Sequence, residues 1–230
     1  ARRAAMSAAE ARRRARTAAP TPVLTEDLLR RKAEHNDGVL GDLEEVSLHQ
    51  LELENVGDTL SRCTPKLRIL YLQNNILSAI SGLERLRDLR YVNLALNNIT
   101  RIEGLGACEF LDKLDLTVNF VDVHALEASV AHLAPLSHLR ELHMVGNPCM
   151  DWPGARAYVA ASLPQLQQLD GKDITKTERI LARQKLPGLV DELRRLAVAR
   201  RRELGLPEVD DAAAALERAR RSEADEADAA

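Results

Sequence analysis

Six histidines and three cysteines are the side chains with which this chain could hold a metal or attack a bond. Zinc needs nitrogen and sulfur ligands at short, fixed spacings, such as H-E-x-x-H on one helix face. His35, His49, His124, His132, His138 and His143 have no such spacing. Cys63, Cys108 and Cys149 are an odd count without a C-x-x-C pair. That pattern argues against a disulfide framework or a redox pair and fits a reducing compartment. Asp170-Gly171 reads as a turn rather than a nucleophile site. A glycine-rich phosphate loop and a G-x-S-x-G elbow are both missing. The expectation is therefore a non-enzyme with no catalytic residue, no metal and no cofactor.

Bulk properties exclude further classes. The chain has 230 residues and a formal net charge of −3, with an isoelectric point near 6.1. Nucleic-acid binding by phosphate neutralisation calls for a basic excess, which is absent. Aromatic residues are 3% of the chain, too few for a base-stacking platform. Its apolar runs all fall short of the roughly 18 residues a membrane span needs. Arg200-Arg201-Arg202 reads as decoration of a solvated helix.

What remains is recognition, and one pattern carries it. Leu67-x-x-Leu70-x-Leu72-x-x-Asn75 recurs as Leu89-x-x-Val92-x-Leu94-x-x-Asn97 and Leu111-x-x-Leu114-x-Leu116-x-x-Asn119. A fourth copy is Leu139-x-x-Leu142-x-Met144-x-x-Asn147. A degenerate earlier copy starts at Leu43, with Leu51 in place of the Asn. This is the leucine-rich-repeat signature. The fold class is α/β: a solenoid with a short parallel β-sheet on its concave face and short helical or 3₁₀ return legs. Leucines two apart point inward along each strand. Each Asn turns the chain, and its amide can satisfy buried backbone groups. The first two steps are 22 residues and the third is 28, so one or two helical turns are inserted after Asn119.

Residues between the inward leucines face the concave surface. One row reads Glu45, Ile69, Tyr91, Lys113, Glu141, and the next reads Ser47, Tyr71, Asn93, Asp115, His143. A third reads His49, Gln73, Ala95, Thr117, Val145. Ile69, Tyr71, Tyr91, Asn93, Lys113, Asp115, Glu141 and His143 thus form an apolar, tyrosine-containing patch beside charge. Such a patch is typical of protein-binding hot spots. The competing reading is that Tyr71 and Tyr91 merely pack on each other.

The solenoid's open ends need covers. Residues 1–22 are an Ala/Arg-rich leader, read as disordered, although an Arg-rich, acid-poor start also looks like a transit peptide. Residues 23–42 form a cap helix with Thr25 as N-cap, Leu28, Leu29 and Ala33 facing the first repeat, and Asn36-Asp-Gly38 as its end. The repeats occupy 43–148 and a closing cap 149–175. Residues 176–230 form a helical, charged tail. It opens with the capping-box pattern Thr175-x-x-Glu178, is kinked or split at Pro187, and ends in a weak coiled-coil pattern.

These residues also resemble a known family. Thr25-Glu-Asp-Leu-Leu-Arg-Arg-Lys-Ala-Glu-His-Asn-Asp37, Leu43-Glu-Glu-Val-Ser-Leu-His-Gln50 and Leu70-Tyr-Leu-Gln-Asn-Asn75 look like the tilB family. So do Asn93-Leu-Ala-Leu-Asn-Asn-Ile99, Leu114-Asp-Leu-Thr-Val-Asn-Phe120, Gly146-Asn-Pro-Cys149 and Leu163-Pro-Gln-Leu-Gln-Gln-Leu-Asp-Gly-Lys-Asp-Ile174. The resemblance covers about residues 24–185. It implies a cytoplasmic adaptor in preassembly of axonemal dynein arms, with possible association with the cilium, flagellum or basal body. The partners it implies are a zinc-finger MYND-type protein, chaperone machinery and axonemal dynein subunits, with no nucleic acid and no membrane. Two other readings stay open: a structural component of the axoneme or basal body resembling a dynein light chain, and a regulator of another complex.

Overall fold

The computed structural model describes residues 23–33 and 36–207. The leader at 1–22, His35 and the coiled-coil pattern beyond residue 207 lie outside the described residues.

Seven strands form one sheet in chain order: β1 Glu45–Ser47, β2 Ile69–Tyr71, β3 Tyr91–Asn93, β4 Lys113–Asp115, β5 Glu141–His143, β6 Gln168–Leu169 and β7 Lys172–Asp173. The first five neighbouring pairs are parallel, and β6–β7 is an antiparallel hairpin. Asp170 and Gly171 both take positive φ, 55° and 71°, as a two-residue hairpin turn demands. The middle residue of each of β2 to β5 is buried between half-buried neighbours. Leu67, Leu70, Leu72 and their counterparts in later copies form one continuous core.

The Asn ladder locks the coils together. Asn97 Oδ1 accepts from Leu77 N at 3.1 Å, while its Nδ2 donates to Leu72 O and Leu94 O at 3.0 Å each. Asn119 repeats this with Ile99 N, Leu94 O and Leu116 O. Asn147 does so with Val121 N, Leu116 O and Met144 O. At the closing end Asp170, which aligns with His143 and not with a ladder Asn, accepts at Oδ1 from Met144 N and Val145 N.

The return legs differ from expectation in detail. Those after β2 and β3 are chains of turns without a helix. They stack so closely that a Cβ on Gly82 or Gly104 would lie 2.0 Å from Gly57 O or 2.2 Å from Ile80 O. Both glycines have positive φ, so the backbone conformation also requires them. The leg after β1 carries the short helix α2 (Thr59–Cys63), and the 28-residue step holds α3 (Val123–Leu133).

Both ends are covered by helices. The first, α1 (Glu26–Lys32), is capped by Thr25 Oγ1, which accepts from Leu28 N at 3.2 Å. Leu29 and Ala33 are buried beneath it. At the other end lie α4 (Ala155–Ser162) and the long α5 (Lys176–Glu203). Arg179 of α5 donates to Ala160 O and Leu163 O at the end of α4 and to Leu166 O in the turn beyond it. Thr175 Oγ1 accepts from Glu178 N at 3.1 Å, but the Glu178 carboxylate is taken by Arg156 at 2.7 Å. Of the expected kink or split at Pro187, the split is corrected: α5 runs through the proline as one helix. On both sides of the proline the helix is packed against the core, through Leu186, Leu189, Val190 and Leu193. Ile180 and Leu181, in contrast, face outward.

Candidate functional site

The parallel register sets Ile69 opposite Tyr91, Tyr91 opposite Lys113, and Lys113 opposite Glu141. In the next row Tyr71 faces Asn93, Asn93 faces Asp115, and Asp115 faces His143. All eight residues are half-buried on one face. Neighbours within a row are separated by the inter-strand spacing, about 4.8 Å.

Their side chains form a linked array. The Tyr71 and Tyr91 rings meet edge-on with centroids 5.6 Å apart. Lys113 Nζ sits 5.4 Å from the Tyr91 ring centroid and 2.9 Å from Glu141. The Glu141 hydrogen bond holds the Lys113 ammonium charged, raising its pKa. Asn93 Nδ2 donates to the Tyr91 hydroxyl at 3.2 Å. Partial burial pushes the Tyr91 phenol up, and the charge of Asp115 adds to it. Asp115 Oδ1 turns along the strand to accept from Thr117 N at 2.9 Å. Each tyrosine therefore packs on the other while keeping its outer surface open. Ion pairing, cation–π contact and hydrogen bonds fix these side chains, so little rotamer freedom is left to lose on binding.

The histidines do not converge. His49 Nδ1 is 2.6 Å from Ser47 Oγ at the first repeat, while His143 lies on β5. His132 Nε2 accepts from Leu105 N at 3.0 Å, and burial lowers its pKa, as suits a neutral acceptor. It thereby satisfies a return-leg amide. Among the described residues no group of three His, Cys, Asp or Glu side chains is placed to hold a metal ion. Cys108 and Cys149 are buried core thiols, each pushed up to about 12 by desolvation.

One feature of the face was missed by sequence reasoning. The residue before each ladder position has positive φ: Gln50 55°, Asn74 57°, Leu96 58°, Val118 54° and Gly146 79°. Two of these are large and apolar, and both are exposed. Their fixed place before each ladder Asn was the signal available in the sequence.

A model for leucine-rich repeats (two copies) matches residues 65–106. A dynein axonemal assembly factor 11 of Trypanosoma brucei brucei is 52% identical over 162 residues, 70% of this chain and 41% of that protein. Protein tilB of Drosophila melanogaster is 45% identical over 164 residues, 71% of this chain and 40% of that protein. This chain thus spans less than half the length of those two relatives. The crystal structure of the Drosophila melanogaster SNF/U2A' complex contains a chain similar at TM-score 0.61 and 25% identity, covering 74% of this chain and 99% of that one. Among the described residues no helix is long and apolar enough to cross a membrane. The chain is a leucine-rich-repeat protein, similar in sequence over about 70% of its length to tilB and dynein axonemal assembly factor 11.

Proposed function

We propose that this chain is a protein-binding adaptor in the cytoplasmic preassembly of axonemal dynein arms, docking its partner on the concave face. The observation that carries the reading is 52% identity over 70% of the chain to a protein named for axonemal dynein assembly. The docking surface is assigned to Ile69, Tyr71, Tyr91, Asn93, Lys113, Asp115, Glu141 and His143. In its support, the paired tyrosines and the Lys113–Glu141 bridge make a preorganised, partly apolar patch. The partners are proteins: dynein subunits, chaperone machinery and a MYND-type assembly factor.

The test is removal of the protein from a ciliated cell, with dynein heavy chains quantified in cytoplasm and axoneme. Loss of axonemal arms, with this protein soluble in the parent cell, is expected. Normal arms overturn the proposal. Retention of the protein in detergent-extracted axonemes favours a structural component instead. Rescue with Tyr71→Glu/Tyr91→Glu is expected to fail although the variant folds.

A further inference from the structure

Leu96, Val118, Phe120 and Val145 are 50%, 45%, 55% and 52% exposed on three successive coils at the edge of the concave face. Backbone bonds tie these coils side by side, Leu96 N to Thr117 O and Val118 N to Val145 O. The four side chains therefore form one apolar stripe running across the strands. Leu96 and Val118 hold left-handed backbone conformations, which are costly for bulky and β-branched residues. Two equivalent positions in the same chain show the cheaper solutions, Asn74 and Gly146. Neither Leu96 nor Val118 recovers that cost by burial, so their apolar character points to an external contact.

Charge narrows the occupant. Asp115 Oδ1 lies on Thr117 N and Asp170 Oδ1 on Val145 N, and the strand register puts both residues in the row of Asn93 and His143, so two carboxylates line the concave side of the stripe. Among the described residues neither carboxylate has an ion-pair partner; the nearby Lys113 is paired with Glu141. Spacing narrows it again. Coils about 4.8 Å apart nearly match the 5.4 Å pitch of an α-helix, so a helix crossing the strands sets one apolar residue per turn on each coil.

We propose that this stripe is a second docking surface, which takes an amphipathic helix of a partner protein with apolar residues one turn apart and basic residues along the side that faces the concave surface. It adjoins the concave tyrosines but does not require them.

The probe is a fluorescein-labelled 18-residue Leu/Lys amphipathic peptide, followed by anisotropy against the full chain. A Leu/Glu peptide of the same length is the control. Saturable binding of the Leu/Lys peptide is expected, with Leu96→Asn/Val118→Asn weakening it about tenfold at unchanged net charge. Asparagine tolerates the left-handed region, so the same variant should melt no lower, and up to about 4 °C higher, than the parent. Asp115→Asn should weaken binding and flatten its salt dependence. Equal binding by the double-Asn variant, tight binding of the Leu/Glu peptide, or no binding of either overturns the proposal. So does a parent dimer that the double-Asn substitution makes monomeric, since the occupant is then a second copy. A large gain in affinity on truncation after Pro207 assigns the stripe to the chain's own tail and also overturns it. Tyr71→Glu/Tyr91→Glu separates the two surfaces: peptide binding retained there but lost in the double-Asn variant places the peptide on the stripe alone.

Discussion

Asn97→Ala removes one rung of the ladder, and its cost follows from the partners left behind. Leu77 N loses its acceptor, Asn97 Oδ1. Leu72 O and Leu94 O lose one donor each but keep another, from Asn75 at 2.9 Å and Asn119 at 2.9 Å respectively. One orphaned buried N–H at about 1–3 kcal/mol, plus two weakened carbonyls at about 0.5–1 kcal/mol each, gives roughly 2–5 kcal/mol. Asn119→Ala has the same logic. The two rungs share Leu94 O, which keeps one donor in either single variant and none in the double. The double variant should therefore exceed the sum of the singles by about 1 kcal/mol. Urea unfolding at 25 °C measures all three, with the exposed Asn98→Ala expected within about 0.5 kcal/mol of the parent. Single costs below about 1 kcal/mol, or strict additivity in the double variant, would refute the ladder as the source of cohesion between coils.

Further outcomes follow from the core. Leu94→Ala, at a buried inward position, should cost roughly 2–5 kcal/mol and destabilise the neighbouring coils with it, read as a lower urea midpoint and loss of hydrogen-exchange protection beyond its own repeat. Cys108 and Cys149 hold their protons to about pH 12 in the folded chain, where an ordinary exposed thiol titrates at 9.0. The unfolded chain binds fewer protons between those values, so stability should be full below pH 9 and fall as pH rises above it. A urea midpoint that stays flat from pH 8 to pH 10.5 contradicts this. In the folded protein only the half-buried Cys63 should react promptly with a thiol reagent, and all three thiols after unfolding.

Residue types and spacing were enough to read the solenoid. Inward leucines at a fixed interval bury only if successive coils stack, and each ladder Asn bridges to the backbone of the coil before it. The concave rows were legible for the same reason: strict alternation along each strand and a constant repeat length fix which residues become neighbours. The insertion after Asn119 was visible in the repeat length, though not that it would form the three-turn helix α3. Other features were decided only in three dimensions. Pro187 sits within a single helix because apolar contacts on both sides outweigh one missing hydrogen bond, and a local rule does not contain those contacts. Glu178 turns from its own helix cap to Arg156 because the fold brings the two within 2.7 Å. The return legs lost their expected helices to close stacking at Gly82 and Gly104. The stripe through Leu96 and Val118 stayed hidden because the sequence reports that they are apolar, whereas backbone conformation and coil-to-coil placement decide that they are strained, exposed and adjacent.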